Sequence, residues 1–214
     1  MRHLSTERLI VFVKAPRPGS VKTRLGLGPE PECGAYKRLV EAVLSPLRAF
    51  KEVELRFTPA DAEREVQPWL REGWRASVQG EGDLGERLNR AFADAFASGA
   101  KRVAIIGSDC PYLRAEDIQS AWAELESCDV VLGPAEDGGY WLIGLRENQP
   151  ELFANMAWSS NQVFGETVAR AKRLGLKTFL LRPLSDVDTR EDWERFIASA
   201  AGHDRPPHQA PTED

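Results

Sequence analysis

Leu9–Val13 (Leu-Ile-Val-Phe-Val) is a run of five apolar residues without a polar interruption. Such a run suits a strand buried on both faces, the mark of a sheet covered by helices. Further strands are expected at Val53–Phe57, at Trp74–Val78 with a weaker pattern, and at Arg102–Ile106, Asp129–Leu132, Tyr140–Leu145 and Thr178–Leu181. Between them lie stretches with helical spacing. From about Pro31 to Phe50 the apolar positions are Tyr36, Leu39, Val40, Val43, Leu44 and Leu47, with Pro46 expected to bend or end the helix. A helix is expected around Ala60–Glu72. Asp83 with Glu86 forms a capping signal ahead of Leu84, Leu88, Ala91, Phe92, Ala95 and Phe96. Ile118, Ala121, Trp122 and Leu125 mark the next helix, Ser160–Leu174 another, and Asp188-Thr189 starts a last one carrying Trp193, Phe196 and Ile197. This alternation predicts a three-layer α/β fold with a mostly parallel sheet. The link Gly133–Gly139 holds three glycines and can reverse the chain, so one antiparallel strand is expected there.

The chain has 214 residues, a length that favours one domain, here 1–201, with the Pro-rich polar segment 202–214 expected to be a mobile tail. Hydrophobic residues make up 42%, enough for a real core. Lys plus Arg number 28 against 33 Asp plus Glu, a net charge of −5 that argues against a nucleic-acid binder. No apolar stretch approaches a membrane span and Met1–Arg8 lacks signal-peptide character, so a cytoplasmic protein is expected. The three cysteines, Cys33, Cys110 and Cys128, have no C-x-x-C spacing. The only histidines, His3, His203 and His208, stand near the chain ends, which disfavours imidazole catalysis and His-built zinc sites. Carboxylates, basic side chains, backbone amides and a hard metal ion remain.

Four segments could carry that chemistry. Lys14–Leu25 places Lys14, Arg17, Lys22 and Arg24 directly after the first strand, where they could wrap a polyphosphate or simply form a solvated charged loop. It is not a P-loop, because Pro16 and Val21 stand where glycines are required. Asp109, just past a strand, could bind a divalent cation or could cap the following turn. In Asp137-Gly138-Gly139-Tyr140-Trp141, glycines could let the main chain approach a ligand between aromatic walls, or could make a plain hairpin turn. Asp186 and Asp188, spaced by two, fall on one side of an extended segment, as a second metal-binding edge requires; alternatively Asp188 caps the last helix. Trp158-Ser159-Ser160 could form an acceptor-side wall or a hydrophobic staple.

In this order the segments resemble the family of glycosyltransferase-like proteins associated with radical-SAM and selenium-related proteins. The resemblance spans Leu9 to about Ile197. It rests on Val-Lys-Ala-Pro-Arg-Pro-Gly-Ser-Val-Lys-Thr-Arg-Leu (13–25), Gly-Asp-Leu-Gly-Glu-Arg-Leu (82–88), Ile-Gly-Ser-Asp-Cys-Pro-Tyr-Leu (106–113), Gly-Pro-Ala-Glu-Asp-Gly-Gly-Tyr-Trp-Leu-Ile-Gly-Leu (133–145), Trp-Ser-Ser (158–160) and Asp-Val-Asp-Thr (186–189). It implies a Rossmann-like GT-A fold of the nucleotide-diphospho-sugar transferase superfamily, with similarity to the guanylyltransferases of cofactor biosynthesis. By that resemblance the 13–25 loop holds nucleotide phosphates, with Lys14, Lys22 and Arg24 foremost. Asp109 takes the place of the superfamily's metal-binding aspartate, with one carboxylate where many relatives carry Asp-x-Asp. Asp188 and Asp186 complete the metal site, Asp83 and Arg87 lie near the nucleotide, and Gly138, Gly139 and Tyr140 lie near the sugar or acceptor.

The expected function is that of a Mg²⁺- or Mn²⁺-dependent transferase using an activated nucleotide, foremost a nucleotide-sugar, with Asp137 deprotonating a small-molecule acceptor. The alternatives are nucleotidyl transfer from a nucleoside triphosphate to a phosphorylated acceptor, and a non-catalytic nucleotide-binding partner. Base, sugar, acceptor and oligomeric state are left open.

Overall fold

A computed structural model describes residues 6–158 and 160–203, the last three by backbone alone. His3, His208, Ser159 and the expected tail from residue 204 onward lie outside the described residues, and residues 202 and 203 continue the last helix.

Seven strands, β1 (Glu7–Lys14), β2 (Val53–Thr58), β3 (Arg75–Val78), β4 (Arg102–Ile106), β5 (Val130–Pro134), β6 (Tyr140–Leu145) and β7 (Thr178–Leu180), form one sheet in the order β3-β2-β1-β4-β6-β5-β7. Every described pairing is parallel except those of β6, which runs antiparallel to β4 and β5. The Gly-rich link between β5 and β6 therefore reverses the chain, as expected. Because β6 points the other way, its first residue, Tyr140, sits at the same sheet edge as the last residues of β1, β4 and β5.

The helices are α1 (Pro29–Leu44), α2 (Glu63–Val66), α3 (Leu84–Ala97), α4 (Ala115–Glu124), α5 (Val163–Arg173) and α6 (Arg190–His203). Strand periodicity divides them into layers. On β1, Leu9, Val11 and Val13 pack with Tyr36, Val40 and Val43 of α1 and Ile118 and Ala121 of α4. Ile10 and Phe12 face Leu88, Ala91 and Phe92 of α3 and Ala171 of α5. The result is the three-layer α/β architecture.

Two elements are shorter than their periodicity predicts. Pro46 ends α1 after Leu44 and passes the chain into a 3₁₀ turn, Pro46–Ala49. The helix expected over Ala60–Glu72 is one turn, α2, followed by a 3₁₀ turn at Gln67–Trp69, because Pro68 lacks the N–H that an α-helix would need. At α3 the capping box forms as its residues dictate: the Asp83 carboxylate accepts from Glu86 N (2.9 Å), and Glu86 accepts from Asp83 N (2.8 Å). No helix among the described residues is long and apolar enough to cross a membrane.

Candidate functional site

The carboxyl ends of the parallel strands open onto a cavity of about 860 Å³ that takes residues from the loop after β1, the start of α3, the end of β4, the β5–β6 link, the 158–163 segment and the 186–188 segment. Ligands in open α/β sheets bind at this edge.

The 186–188 segment reaches the cavity by prolonging the sheet. Leu181 N donates to Leu132 O and Leu184 N to Pro134 O, carrying the chain along β5, and Val187 N then donates to Asp109 O (2.9 Å). Val187 is fully buried, so its neighbours Asp186 and Asp188 both face the cavity, the outcome their spacing predicts. Asp188 does not cap α6. Thr189 and Asp192 form the cap instead, with Thr189 N donating to Asp192 (2.8 Å) and Asp192 N donating to the Thr189 hydroxyl (3.3 Å). The Asp188 carboxylate is thereby left for other partners.

Those partners come from the far end of the chain. Lys22 Nζ lies 2.6 Å from Asp109 Oδ1 and 2.9 Å from Asp188 Oδ1, and donates to Val187 O at 2.7 Å. The Lys22 side chain is 6% exposed, against 48% for Asp109 and 39% for Asp188. Burial works against the ammonium charge, but attraction to Asp109 and Asp188 outweighs it and the Lys22 pKa is raised. Arg24 reaches the other Asp188 oxygen at 3.4 Å while staying 80% exposed. Asp109 is thus an ion-pairing residue of the cavity, not a cap; the capping carboxylate of α4 is Asp117 in its first turn, which accepts from Arg114 N.

Half-buried Asp186 makes no such ion pair among the described residues, and Lys22 offsets only part of what raises its pKa. Its burial, followed by repulsion from Asp137 and Asp188, pushes its pKa up to about 6. Asp137 lies in the turn, where its carboxylate accepts from Gly139 N (2.8 Å), so the turn reading and the cavity reading both hold for it. Arg87 lines the cavity, tied to Gly82 O (2.9 Å) and Gln79 Oε1 (3.4 Å), and Lys14 and Asp83 line it as well.

Two expectations need correction. Arg17 is absent from the cavity wall: Glu65 takes its guanidinium at 2.6 Å and Asp61 at 3.1 Å, a carboxylate pair that turns it toward α2. Gly138 does not line the cavity either. Its φ of 90° and close approach serve the protein itself, since a Cβ there would stand 2.2 Å from Asn161 O, while its carbonyl accepts from Phe164 N. Gly139 and Tyr140 do line it, yet the Tyr140 hydroxyl is buried in the wall. Lys22 lines the cavity as expected, and here the three protons of its ammonium meet three protein oxygens.

Other residues escaped the sequence. Tyr36, spaced as an apolar helix position, accepts from Lys14 N (2.7 Å) and shares a hydrogen bond with the Ser108 hydroxyl (3.1 Å), fastening the first loop to the end of β4. Gln79 is buried, donates to Val13 O and Arg56 O, and steadies Arg87. Trp158, which the sequence did single out as a wall or a staple, lines the cavity and rests on Gly85, where a Cβ would lie 2.6 Å from its indole nitrogen. Nothing in the spacing of Tyr36 or Gln79 sets them apart from core residues.

For a divalent cation the donor set has the right chemistry. Two carboxylates and a carbonyl converge on one positive nitrogen, an all-oxygen environment of the kind hard cations take. Among the described residues no group of three or more His, Cys, Asp or Glu side chains is arranged to hold an ion alone, so an ion held here would need further ligands from substrate oxygens or water.

A crystal structure of a candidate nucleotide-diphospho-sugar transferase from Desulfovibrio desulfuricans G20 is similar to this chain with 34% identity and a TM-score of 0.85, covering 94% of this chain and 90% of that one. A phosphoenolpyruvate guanylyltransferase of Sphaerobacter thermophilus is 26% identical over 198 residues, 91% of this chain and 93% of that protein. Rv0371c of Mycobacterium tuberculosis H37Rv, solved in complex with manganese, shares the fold at 16% identity with a TM-score of 0.55, over 90% of this chain and 98% of that one. The architecture is the GT-A fold, and the chain is a transferase of the nucleotide-using kind. With residues 45–160 matching that family's profile, it belongs to the family described as "Uncharacterized protein conserved in bacteria (DUF2064)".

Proposed function

We propose that this chain is a metal-assisted glycosyltransferase that moves a sugar from a nucleotide-diphospho-sugar to a hydroxyl of a small acceptor. The observation that carries this reading is which lining residues bring charge to the cavity. Its cations, Lys14, Lys22, Arg24 and Arg87, all come from the first half of the chain, whereas its residues from 135 to 163 include Asp137 and no Lys or Arg. These cations favour a diphosphate. The 135–163 residues bring no positive charge for a phosphorylated acceptor and suit a neutral hydroxyl beside a carboxylate. In the reaction the acceptor oxygen bonds to the anomeric carbon, the bond from that carbon to the diphosphate oxygen breaks with its electron pair, and the acceptor proton passes to Asp137. Lys14, Arg24 and Arg87 hold the diphosphate, and Asp83 and Arg87 flank the nucleotide. Mg²⁺ or Mn²⁺, held by Asp109 and Asp188 with Asp186 adjacent, would neutralise charge on the departing diphosphate. The finer affiliation with transferases associated with radical-SAM and selenium-related proteins is part of this proposal.

The guanylyltransferase relative favours a second reading, nucleotidyl transfer from a nucleoside triphosphate. One assay separates them. Nucleotide-sugars and nucleoside triphosphates are offered with Mn²⁺ and a panel of hydroxyl and phosphorylated acceptors. Release of nucleoside diphosphate from a nucleotide-sugar supports glycosyl transfer; pyrophosphate from a triphosphate supports the second reading and overturns the first. Binding without either product across the panel points to a non-catalytic partner. Asp137→Asn is expected to cut turnover by about 10²–10⁴-fold with nucleotide affinity kept.

A further inference from the structure

We infer that Lys22 is a tethered stand-in for the divalent cation: its ammonium occupies the position between Asp109 and Asp188, and the metal ion and Lys22 are alternative occupants of that place. This rests on the proposed function only in using the same carboxylate pair.

Three observations carry it. First, the Lys22 Nζ has no proton left for a ligand, since Asp109 at 2.6 Å, Asp188 at 2.9 Å and the Val187 carbonyl at 2.7 Å take all three. Second, Asp109 Oδ1 and Asp188 Oδ1 both face the ammonium, and an ion of Mg²⁺ or Mn²⁺ size, whose ligands stand about 2.0–2.2 Å away, cannot take these same two oxygens while a second cation sits between them. An ion bridging this pair of oxygens therefore displaces the ammonium. Third, the residue carrying that ammonium is set in the left-handed region, at φ 53°, in a loop whose Gly19 (φ 74°) and Gly26 (φ 61°) also have positive φ. A side-chained residue held there stores backbone strain. The salt bridges thus compete with a local preference to let the segment move.

The arrangement suits a site that must hold its acidic groups together before any ligand arrives. Without Lys22, Asp109 and Asp188 would repel each other across the cavity floor. With it, the pair is preformed, and an arriving ion exchanges one positive charge for two. The released ammonium remains inside the cavity, where Lys14, Arg24 and Arg87 already concentrate positive charge, and its three donors become available to phosphate oxygens. Lys22 is then a positioning residue in the resting protein and a phosphate ligand in the loaded one.

The test uses metal alone, so its outcome is independent of whether the protein transfers a sugar. Mn²⁺ is titrated into the full chain without nucleotide and the free-ion signal is followed by electron paramagnetic resonance. Lys22→Met is expected to bind Mn²⁺ about tenfold or more tightly than the wild-type chain, because the internal competitor is gone. That gain should vanish in Lys22→Met/Asp188→Asn. No gain in Lys22→Met, including absence of binding to either protein, overturns the inference, as does a gain that survives Asp188→Asn. Should Lys22→Met fail to fold, the wild-type chain decides: acylation of the Lys22 amine by a soluble amine reagent, read by peptide mass spectrometry, is expected to speed up severalfold at high Mn²⁺. An unchanged rate shows that the ion leaves Lys22 where it is, and ends the proposal.

Discussion

At the scale of single residues, the cavity floor is an electrostatic compromise that stability measurements can expose. Asp186 gains its proton near pH 6 in the folded chain, against 3.8 for an ordinary carboxyl, through burial and then the charges of Asp137 and Asp188. A raised carboxyl pKa means that the folded state is favoured below the unfolded value and loses that advantage as pH climbs through the folded one. Asp186→Asn is therefore expected to raise the melting temperature at pH 7–8, with the difference closing below about pH 4; a constant difference across that window would show that ionisation is not its source. Asp109 offers a different contrast. It is half exposed and its Oδ1 is the atom facing Lys22, an acceptor that Asn keeps. Asp109→Asn should move the melting temperature by no more than a few degrees while Mn²⁺-dependent nucleotide binding, followed by calorimetry, falls by about tenfold or more. Wild-type metal dependence in that variant would remove Asp109 from the site.

Among the elements, the cap of α3 and the β5–β6 turn do double duty. The Asp83–Glu86 box satisfies backbone donors that the first turn of α3 leaves open, and Asp83 also lines the cavity. Asp83→Ala should cost about 1 kcal/mol in urea unfolding. A matching loss of nucleotide affinity would place the cap beside the ligand, and unchanged affinity would leave it a purely structural group. In the turn, Gly138→Ala meets both a positive φ and the Asn161 carbonyl, with a cost of about 1–3 kcal/mol expected on denaturant unfolding. A neutral result would mean that the 158–163 segment yields easily. These elements were legible in advance because capping boxes, apolar runs and Gly-rich reversals are written within a few consecutive residues. Arg17 was misread for the same reason. Four cations in one loop look alike in a string, and only the approach of Asp61 and of Glu65 in α2 sorts one of them outward.

For the molecule as a whole, the site exists because the chain crosses the sheet repeatedly and returns to one edge. The strand order β3-β2-β1-β4-β6-β5-β7 sets β1 beside β4, and reversed β6 brings its amino end to the carboxyl edge of the others. A ligand seated there touches both halves of the chain, so binding should stabilise the entire cooperative unit. At a hundred times its Kd, a nucleotide diphosphate with Mn²⁺ is expected to add about 2.7 kcal/mol, seen as a rise in melting temperature. The bare nucleoside should do less, and salt should erode the diphosphate's effect because Arg24 is largely exposed. Equal shifts for both ligands would argue against phosphate recognition by the first loop.

Alternation of apolar runs with amphipathic stretches was enough, by itself, to determine the layer architecture, the reversed strand and the face each helix buries, because those features depend on periods of two and 3.6 residues within one segment. Even the common orientation of Asp186 and Asp188 follows from their spacing in an extended chain. Which side chains meet was decided only by tertiary structure. Lys22 and Asp188 are 166 residues apart, and no local pattern marks them as partners. Their contact depends on where two crossovers deliver β1 and β4, on the backbone bond that pins Val187 to Asp109, and on Thr189 and Asp192 taking over the helix cap. Sheet order and packing geometry are collective outcomes of burying both faces of the sheet at once, so the pairing at the cavity floor has no signature shorter than the fold.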